Sequence, residues 1–411
     1  MSKNVVVIGG GVSGKHAAQE ISKAKDVKVT LVMANQFVEW PIAMTKVFAF
    51  PELHYKALSE KPDLFQIPSA TYRYGAVTSV DPAKKTVVLS DQTSLSYDAL
   101  VVATGFGMPL FYPELGATLQ ERKSQVAQIG ASIKAAACVA IVGGGIVAVE
   151  LAGDIRVAHP SKKIVLLVRD QVLKPYPDNV RKEVAAALEK QRIEVRTGEF
   201  ADVPRDPVFE AGTCSVGGQS VAYDVLIPAY SRGPNTSFLA GVTGMLDEQG
   251  AITVNDHLQS PAFPEVFAVG VSNRKEGFVG IAKLEGQWKT VGANVSALLA
   301  GKKELKKHSE GMPGMKRPPV IPIGRGAGGW AMFDCSQVPA PISCCCCGGL
   351  GGFPCCPLPL CWPCCHPCAC GMCCGPPAGE GTAKCLSGFE FKTASFHYKG
   401  MGSEAPRQQQ M

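Results

Sequence analysis

Two glycine-rich turns are the residues of this chain with the clearest chemical potential. One spans residues 9–14, after an apolar run that begins at Val5, and the other spans residues 143–148, after an apolar run that begins at Val139. In such a G-x-G-x-x-G/A turn, the first glycine permits a tight bend, the second lets backbone approach a pyrophosphate, and the third position packs a helix against a strand. The N–H groups that open this helix then bind phosphate. The sequence therefore predicts two dinucleotide sites.

Each turn needs a strand before it, a helix after it and a second strand beyond. The apolar run before each turn has strand length, which is typical of a strand buried on both faces of a parallel sheet. Second apolar strands follow over residues 27–32 and 163–168. Two complete βαβ patterns in one chain indicate a division of labour, with a flavin in one site and a nicotinamide in the other. Residues 97–105, an apolar strand ending in Ala-Thr-Gly, fit the close of the first part of a flavin domain.

Composition bounds the class of protein. The 411 residues, 46% of them apolar, suggest two or three domains with ample core. The 41 basic and 35 acidic residues give a net charge of +6, which implies no strong field for nucleic acid. No apolar run reaches the ~18 residues of a membrane-spanning helix. Since the strand-like run begins at Val5, we expect no cleavable signal and a cytoplasmic protein.

These motifs resemble the two-dinucleotide-binding-domain flavoprotein superfamily, and within it the apoptosis-inducing-factor-like, ferroptosis-suppressor type of NAD(P)H:quinone oxidoreductase. Beyond the turns, the resemblance rests on Ala103-Thr104-Gly105, Glu150, Gly233-Pro234-Asn235 and Val266-Phe267-Ala268-Val269-Gly270. It implies an α/β fold with two Rossmann-like domains of the pyridine-nucleotide-disulfide-oxidoreductase type. The implied domains are an FAD domain over 1–110 and 245–300, an NAD(P)H domain over 111–244, and a C-terminal region over 301–411. The implied reaction passes hydride from NAD(P)H to FAD and electrons onward to a quinone-like acceptor.

The resemblance also implies site residues by matching position. In the FAD domain they are Gly9, Gly10, Gly11, Val12, Ser13, Gly14, Lys46, Val77, Thr104, Gly105 and Gly270. In the NAD(P)H domain the cofactor contacts are Gly143, Gly145 and Arg169, and Glu150 is the catalytic residue, which orients the rings or handles a proton. From the residues alone, the alternative for Lys46 is a solvated surface lysine, and the alternative for Glu150 is a carboxylate stabilised by a helix dipole.

Two positions depart from the family pattern. The second strand of such a site usually ends in an acid that binds the adenosine ribose, but here that position is Met33. After Gly270 the family has an Asp that reaches the flavin ribityl chain, whereas this chain continues Val271-Ser272-Asn273. Losing two charge-assisted hydrogen bonds, at ~1.5–3 kcal/mol each, would weaken FAD binding roughly a hundred- to ten-thousand-fold, with Ser272 and Asn273 able to offset part. A flavoprotein-derived binding or signalling protein with weak or no catalysis therefore stays an alternative.

The position of the cysteines bears on the electron path, and Arg169 bears on the choice between NADPH and NADH. Residues 1–137 contain no cysteine, which excludes the glutathione-reductase type of dithiol over the flavin. The second strand of the nicotinamide site ends in Arg169, and an arginine there accommodates the 2′-phosphate of NADP. Asp170 follows directly and leaves NADH open. The pattern favours NADPH or no strict preference.

The last part of the chain differs in composition. Of the 17 cysteines, 15 lie between Cys335 and Cys385, and residues 335–379 contain no Asp, Glu, Lys or Arg. Interleaved Pro and Gly disfavour regular structure, which suggests a Cys-rich low-complexity insertion. Three interpretations stay open: S-acylation that anchors the protein peripherally to a membrane, a zinc or copper(I) thiolate site at the C-x-x-C spacings, and an insertion without defined function. Acylation is the favoured one, and no metal ligand is assigned.

Overall fold

The computed structural model of the protein describes residues 2–59, 67, 70–176, 178–275, 281–309, 320–323 and 328–330. The strands are β1 (Lys3–Ile8), β2 (Val27–Met33), β3 (Val38–Glu39), β4 (Leu58–Ser59), β5 (Ala70–Tyr74), β6 (Val77–Asp81), β7 (Thr86–Leu89), β8 (Ser94–Ser96), β9 (Ala99–Val102), β10 (Cys138–Val142), β11 (Lys163–Val168), β12 (Glu194–Thr197), β13 (Phe200–Ala201), β14 (Gly212–Val216), β15 (Gln219–Tyr223), β16 (Val225–Pro228), β17 (Val266–Ala268), β18 (Val320–Pro322) and β19 (Gly328–Trp330). The helices are α1 (Val12–Ile21), α2 (Met44–Ala49), α3 (Leu119–Ala135), α4 (Ile146–Ala158), α5 (Asp178–Lys190) and α6 (Ile281–Leu299).

The first glycine turn lies at the edge of a five-stranded sheet with the order β17-β9-β1-β2-β5. Every neighbouring pair in this sheet is parallel. The register places Ile8 beside both Val32 and Val102, so the carboxyl ends of the three central strands meet at one edge. The strand order reverses at β1, and nucleotides bind in α/β sheets at the crevice that such a reversal opens.

The second glycine turn lies at the corresponding edge of a four-stranded parallel sheet with the order β12-β11-β10-β16. Here the order reverses at β10, because α4 leads to β11 on one side while β16 pairs on the other. The central strands of both sheets are apolar and buried on both faces. Helices cover one face of each sheet, but the other face packs against an antiparallel sheet, β6-β7-β8 on the first and β13-β14-β15 on the second, and not against helices as the sequence suggested. The predicted fold class, an α/β fold with two parallel Rossmann-like units, is confirmed.

Smaller antiparallel units are attached to the two parallel sheets. They are the sheets β6-β7-β8 and β13-β14-β15 and the hairpins β3-β4 and β18-β19. The β18-β19 hairpin packs against α4 and α5, which flank the second sheet. The amide of Gln191, just beyond α5, donates a hydrogen bond to the carbonyl of Ile323. The chain therefore returns to the second unit after α6.

The two parallel sheets share one large apolar core. Helix α2 packs against α3 and α4, and the described part of the core runs without a break through these helices. A buried ion pair crosses it: the Arg122 guanidinium of α3 donates to both carboxylate oxygens of Glu39 in β3, at 2.7 and 2.8 Å. The Arg122 side chain is 0% exposed and that of Glu39 is 5% exposed. Burial raises the pKa of Glu39 in spite of its cationic partner.

The chain passes from the first unit to the second after β9 and back again after β16, and these two crossings lie side by side. Phe106 and Pro234 form an antiparallel bridge. Around it, the N–H of Gly107 donates to Gly233 O at 2.9 Å, and the N–H of Asn235 donates to Gly105 O at 3.0 Å. The outgoing and returning segments therefore form one short two-stranded connection.

Helices α1 and α6 pack closely beside the first sheet. The imidazole of His16 stacks on the indole of Trp288, with ring centroids 4.6 Å apart and 23° between the ring planes. Farther along, a Cβ added to Gly292 would lie 2.4 Å from the Glu20 Cβ, so only glycine fits this crossing. Burial, and secondarily the neighbouring Lys15, lower the pKa of His16. The ring is therefore neutral in the folded protein at pH 7.

The lowered pKa of His16 predicts a stability that depends on pH. The unfolded chain takes up the proton at about pH 6.5 and the folded chain only below that, so the unfolded state binds more protons between the two values. The free energy of unfolding should therefore fall as the pH drops below about 6.5. We expect His16→Phe, which keeps a ring on Trp288 but does not titrate, to flatten this fall in urea unfolding curves between pH 7.5 and 5.

A second histidine supplies the matched control for this experiment. Burial also lowers the pKa of His159, at the end of α4 and remote from Trp288. His159→Phe should remove only the contribution of His159 to the pH dependence of the free energy of unfolding, and the contribution of His16 should remain. A His16→Phe protein whose stability falls as steeply with acid as the parent protein would contradict the prediction.

Within the part of the chain described above, no helix is both long enough and apolar enough to cross a membrane. The same residues contain no group of three or more His, Cys, Asp or Glu side chains placed to hold a metal ion. The predicted Cys-rich insertion at 335–379 lies outside the described residues, so its acylation or metal binding stays a prediction.

Candidate functional site

The first glycine turn is built by close backbone approach on one side and open space on the other. Gly9 has a φ of +109°, and a Cβ there would lie 2.4 Å from the Ala103 carbonyl oxygen. A Cβ on Gly14 would lie 1.8 Å from the Gly9 oxygen, so α1 packs directly on the turn. Gly11, by contrast, has no atom of the described chain within 4 Å of its Cβ position. The turn is packed from behind and open in front.

The open side of the turn coincides with the start of α1. Gly11 is the N-cap residue, and no side chain of the described residues caps the helix. The first N–H groups of a helix lack partners within the helix, and its dipole adds partial positive charge there. Val12 and Ser13 therefore open the helix where a pyrophosphate would be received.

The second glycine turn repeats this construction. Gly143 has a φ of +140°, and its Cβ would lie 2.8 Å from the Ala229 carbonyl oxygen. Gly145 is the N-cap residue of α4, has no side-chain cap among the described residues, and has open space at its Cβ position. Ala148 takes the third position of the motif and is fully buried. The structure thus supplies two similar phosphate cradles on two sheets.

Three other predicted residues lie beside the first turn. A Cβ on Gly270 would lie 2.8 Å from the Ser13 Oγ, which places the end of β17 against the start of α1. Thr104 and Gly105 follow β9, directly beside Gly9. The Thr104 hydroxyl is buried and has no hydrogen-bond partner among the described residues. A buried polar atom without a partner, next to an open phosphate cradle, fits a bound nucleotide that supplies the missing hydrogen bond.

The polar residues after Gly270 do not replace the missing acid. The Ser272 hydroxyl donates to the Val102 carbonyl at 3.2 Å, and the Asn273 amide donates to the Ala268 carbonyl at 3.0 Å. Both side chains are at most 1% exposed, and their hydrogen bonds go to the ends of β9 and β17. The sequence suggested that these two side chains could offset the missing Asp, but their hydrogen bonds go to backbone carbonyls instead. Sequence reasoning missed Gln287 of α6, whose side-chain oxygen accepts the Gly270 N–H at 2.7 Å.

Met33 ends β2 at the position where a ribose-binding acid is usual. Its side chain folds over the first glycine turn, because a Cβ on Gly10 would lie 2.5–2.8 Å from the Met33 Cγ, Sδ and Cε atoms. The residue is 6% exposed. The adenosine end of the crevice is therefore apolar at this strand, while the pyrophosphate end fits the cofactor.

Restoring an acid at this position should tighten FAD binding. A carboxylate that accepts hydrogen bonds from the ribose hydroxyls contributes ~1.5–3 kcal/mol, which is about a ten- to hundredfold lower Kd. We expect this gain for Met33→Glu in titrations of apoprotein with FAD, followed by quenching of flavin fluorescence. Met33→Leu is the control and should leave the Kd within about twofold. A Met33→Glu protein that binds FAD no better than Met33→Leu would refute this prediction.

Three predicted residues remain: Val77, Lys46 and Glu150. Val77 opens β6 just past the end of β5, which neighbours β2 in the first sheet. Lys46 is half-buried on α2, and Glu150 is half-buried near the start of α4. Because α2 packs against α4, Lys46 and Glu150 lie on touching helices from the two units. Their contacts with a cofactor stay predictions.

Lys15 is a further residue that the sequence interpretation did not single out. It follows Gly14 in the first turn of α1 and is only 8% exposed. Burial lowers the pKa of its amine to about 8. The signal in the sequence was a lysine directly after the glycine motif, where the second turn has Val149.

Arg169 follows β11 at the carboxyl edge of the second sheet. Its side chain is exposed, and the guanidinium carbon lies 5.4 Å from the centre of the Phe200 ring. The carboxylate of the next residue, Asp170, pairs with Lys174. The two adjacent charges predicted to decide the coenzyme therefore have different partners.

Comparisons with known proteins agree with this architecture. The chain is 28% identical over 270 residues to the FAD-dependent oxidoreductase FVFD30 of Flammulina velutipes, covering 62% of this chain and 81% of that protein. It is 27% identical over 288 residues to ferroptosis suppressor protein 1 of Taeniopygia guttata, covering 66% of this chain and 74% of that protein. Among solved structures, the fold is similar to that of the sulfide:quinone oxidoreductase of Aquifex aeolicus, with a TM-score of 0.59 and 17% identity. The match covers 80% of this chain and 83% of that chain.

The family assignment follows from a match that spans both glycine turns. Residues 3–282, more than half of the chain, match the family model described as pyridine nucleotide-disulphide oxidoreductase. The prediction of FAD as cofactor and NAD(P)H as co-substrate is confirmed by this match. With two parallel sheets, two phosphate cradles and this match, the chain belongs to the pyridine nucleotide-disulphide oxidoreductase family.

Proposed function

We propose that this protein passes hydride from NAD(P)H to FAD and then delivers the electrons to a quinone-like acceptor. Its place among NAD(P)H-dependent flavin oxidoreductases follows from the family. The observation that carries the proposal is the pair of cradles at Gly11 and Gly145, each open in front and each at the carboxyl edge of its own sheet. Two nucleotides held at these edges would bring their rings together where α2 meets α4.

The roles proposed for the chain's own residues combine this arrangement with the family resemblance. We assign the FAD domain to 1–110 and 245–300 and the NAD(P)H domain to 111–244. When bound, FAD supplies the two-electron chemistry of its isoalloxazine ring. The start of α1 binds the FAD pyrophosphate, and the start of α4 binds that of NAD(P)H. Glu150 orients the rings or handles a proton, and Lys46 places a cation beside the flavin nucleotide.

Two observations support a quinone-like acceptor. The first 137 residues contain no cysteine, so a redox-active dithiol early in the first domain is not the route by which electrons leave the flavin. The resemblance to the ferroptosis-suppressor type of NAD(P)H:quinone oxidoreductase points to a small molecule instead. For the coenzyme we favour NADPH, because Arg169 is a suitable partner for a 2′-phosphate.

One specific observation favours a second candidate, a flavoprotein-derived binding or signalling protein with little catalysis. Met33 covers the ribose position with an apolar side chain, and Ser272 and Asn273 are turned to backbone partners. Weak FAD binding would leave such a protein with a nucleotide-binding fold and no stable flavin. Its Cys-rich tail would then serve metal or partner binding.

Anaerobic reduction distinguishes the two candidates. Purified protein, reconstituted with FAD, should lose its visible flavin absorption when NADPH is added under argon. Short-chain ubiquinone added afterwards should restore the absorption. This second step tests whether the acceptor is a quinone. A protein that is still colourless after incubation with excess FAD and removal of the unbound flavin would eliminate the enzyme, whereas a protein that bleaches but is not reoxidised by quinone would eliminate only the acceptor.

We propose a cytoplasmic protein with peripheral membrane contact through an acylated Cys-rich tail at 335–379. The support is compositional: clustered cysteines among apolar residues are a pattern suited to thioester anchors. Hydroxylamine cleaves thioesters, so it should release the protein from membranes. Membrane association that survives hydroxylamine would reject this anchor.

A further inference from the structure

We propose that Phe200 is a positioning residue for coenzyme choice, because it holds the Arg169 guanidinium ready for the 2′-phosphate of NADPH. This inference rests on the proposed function of the second sheet as the NAD(P)H site and deepens it. Nothing in the sequence pattern links Phe200 to a nucleotide, since it lies on a different strand, 31 positions after Arg169 (200 − 169).

The geometry places Phe200 between the protein interior and Arg169. Phe200 begins β13 and pairs with Val216 of β14. It is half-buried against the apolar cluster that also contains Val216 and Leu167. The guanidinium carbon of Arg169 lies 5.4 Å from the centre of its ring. One side of the ring is therefore fixed by packing while the ring supports a cation.

The segment that carries Arg169 is also fixed relative to the second glycine turn. A Cβ on Gly144 would lie 2.8 Å from Val168 Cγ1 and 3.0 Å from the Gln171 carbonyl oxygen. The N–H of Leu173 donates to the Gly144 carbonyl at 2.6 Å. Arg169 thus projects from a short loop that is anchored on the phosphate cradle itself.

The neighbouring charge is neutralised in the same loop. Asp170, which would repel a 2′-phosphate, forms an ion pair with Lys174 four residues on. Both side chains are more than half exposed, so the pair reduces the local negative charge but adds little to stability. Arg169 is then the charge that an adenosine 2′-substituent would meet first at the end of β11.

Stacking matters here because an exposed arginine has many rotamers. Holding the guanidinium over an aromatic face reduces the freedom that binding would otherwise have to remove. A cation–π contact at an exposed site corresponds to a factor of about two to five in an equilibrium constant. The planar guanidinium keeps its N–H groups free at the edge for phosphate oxygens.

Binding of two nucleotide fragments to the full-length FAD-loaded protein tests this inference. 2′,5′-ADP (adenosine 2′,5′-bisphosphate) carries the 2′-phosphate, and 5′-AMP lacks it but keeps the same 5′-phosphate, so the ratio of their Kd values by calorimetry measures recognition of that group alone. We expect the parent protein to prefer 2′,5′-ADP. Arg169→Ala should reduce this preference about ten- to a hundredfold, and Phe200→Ala should reduce it about two- to fivefold while leaving the Kd of 5′-AMP unchanged.

Three companion variants separate positioning from packing. Phe200→Leu keeps an apolar side chain without an aromatic face, should fold like the parent, and should lose preference as Phe200→Ala does. Phe200→Tyr should retain the preference. Phe209→Ala removes another phenylalanine of the same unit, 42% exposed, and should change nothing.

The outcomes distinguish this inference from the function on which it rests. A preference unaffected by Arg169→Ala would overturn the NADPH assignment and the positioning role together. A preference lost in Arg169→Ala but retained in Phe200→Leu would overturn the role of Phe200 alone. Failure of every variant, and of the parent, to bind either fragment would reject the second sheet as a nucleotide site.

Discussion

Gly145→Val is expected to abolish NAD(P)H binding while the protein stays folded and retains FAD. The Cβ position of Gly145 has no described protein atom within 4 Å, so a side chain there disturbs no packing. Its backbone is extended, with φ −86° and ψ 178°, which valine readily adopts. The added methyl groups would occupy the space through which a pyrophosphate approaches the start of α4. We expect the Kd for NADPH to rise at least about a hundredfold, equivalent to ~2.7 kcal/mol or more.

Two matched glycines make this experiment specific. Gly11→Val places the same side chain in the first cradle and should abolish FAD binding instead, since its Cβ position is equally open. Gly241→Val adds valine at another open glycine, remote from both turns along the chain, and should affect neither ligand. Fluorescence titrations with NADPH and with FAD report the two sites separately. If Gly145→Val weakened the binding of NADPH and of FAD equally, the two turns would not bind different nucleotides.

Arg122→Leu is expected to lower the free energy of unfolding by about 3–5 kcal/mol. Removing one partner of a buried ion pair leaves the other without compensation, and this is the costly case for such pairs. Arg122 also donates to the Leu110 carbonyl at 2.7 Å, so a backbone acceptor would lose its partner as well. Glu39 would then take up a proton, because burial already raises its pKa. Urea unfolding at pH 7 measures the loss.

The double variant Glu39→Leu/Arg122→Leu should recover much of this loss, because two apolar side chains of suitable size often replace a buried pair at little cost. Lys84→Leu provides the exposed counterpart. It removes the ion pair with Asp81, in which the lysine is 79% exposed, and should change the free energy of unfolding by less than about 1 kcal/mol. If the double variant were as unstable as Arg122→Leu, the unpaired carboxylate would not be the cause.

The fold could be predicted from the sequence because its signals are local. The two glycine turns specify a strand, a bend and a helix within about 20 residues each, and the structure places both turns at strand-order reversals. Met33 could be recognised as a departure from the usual ribose-binding acid, because that acid is expected at a set distance along the chain after the glycine turn. The sequence did not show that its side chain folds onto Gly10, since that depends on packing between β1 and β2.

Long-range partners were beyond the sequence pattern. Arg122 and Glu39 are 83 positions apart (122 − 39) and are brought together only when α3 packs on β3. Gln287 reaches Gly270 through the packing of α6 beside β17. The same holds for the Cys-rich segment, which lies outside the described residues and whose composition specifies no partner for its thiols.

The paired crossings near Phe106 and Pro234 have an evolutionary consequence. Since the outgoing and returning chains lie next to each other and are hydrogen-bonded, the segment between them enters and leaves the rest of the protein at one place along the backbone, and the packing of α2 on α3 and α4 adds the side-chain contacts. A unit attached in this way can be exchanged for a homologous one by two cuts at the same place, without rethreading the first sheet. Chimaeras joined at these two positions would let coenzyme preference be transplanted between relatives as a single module.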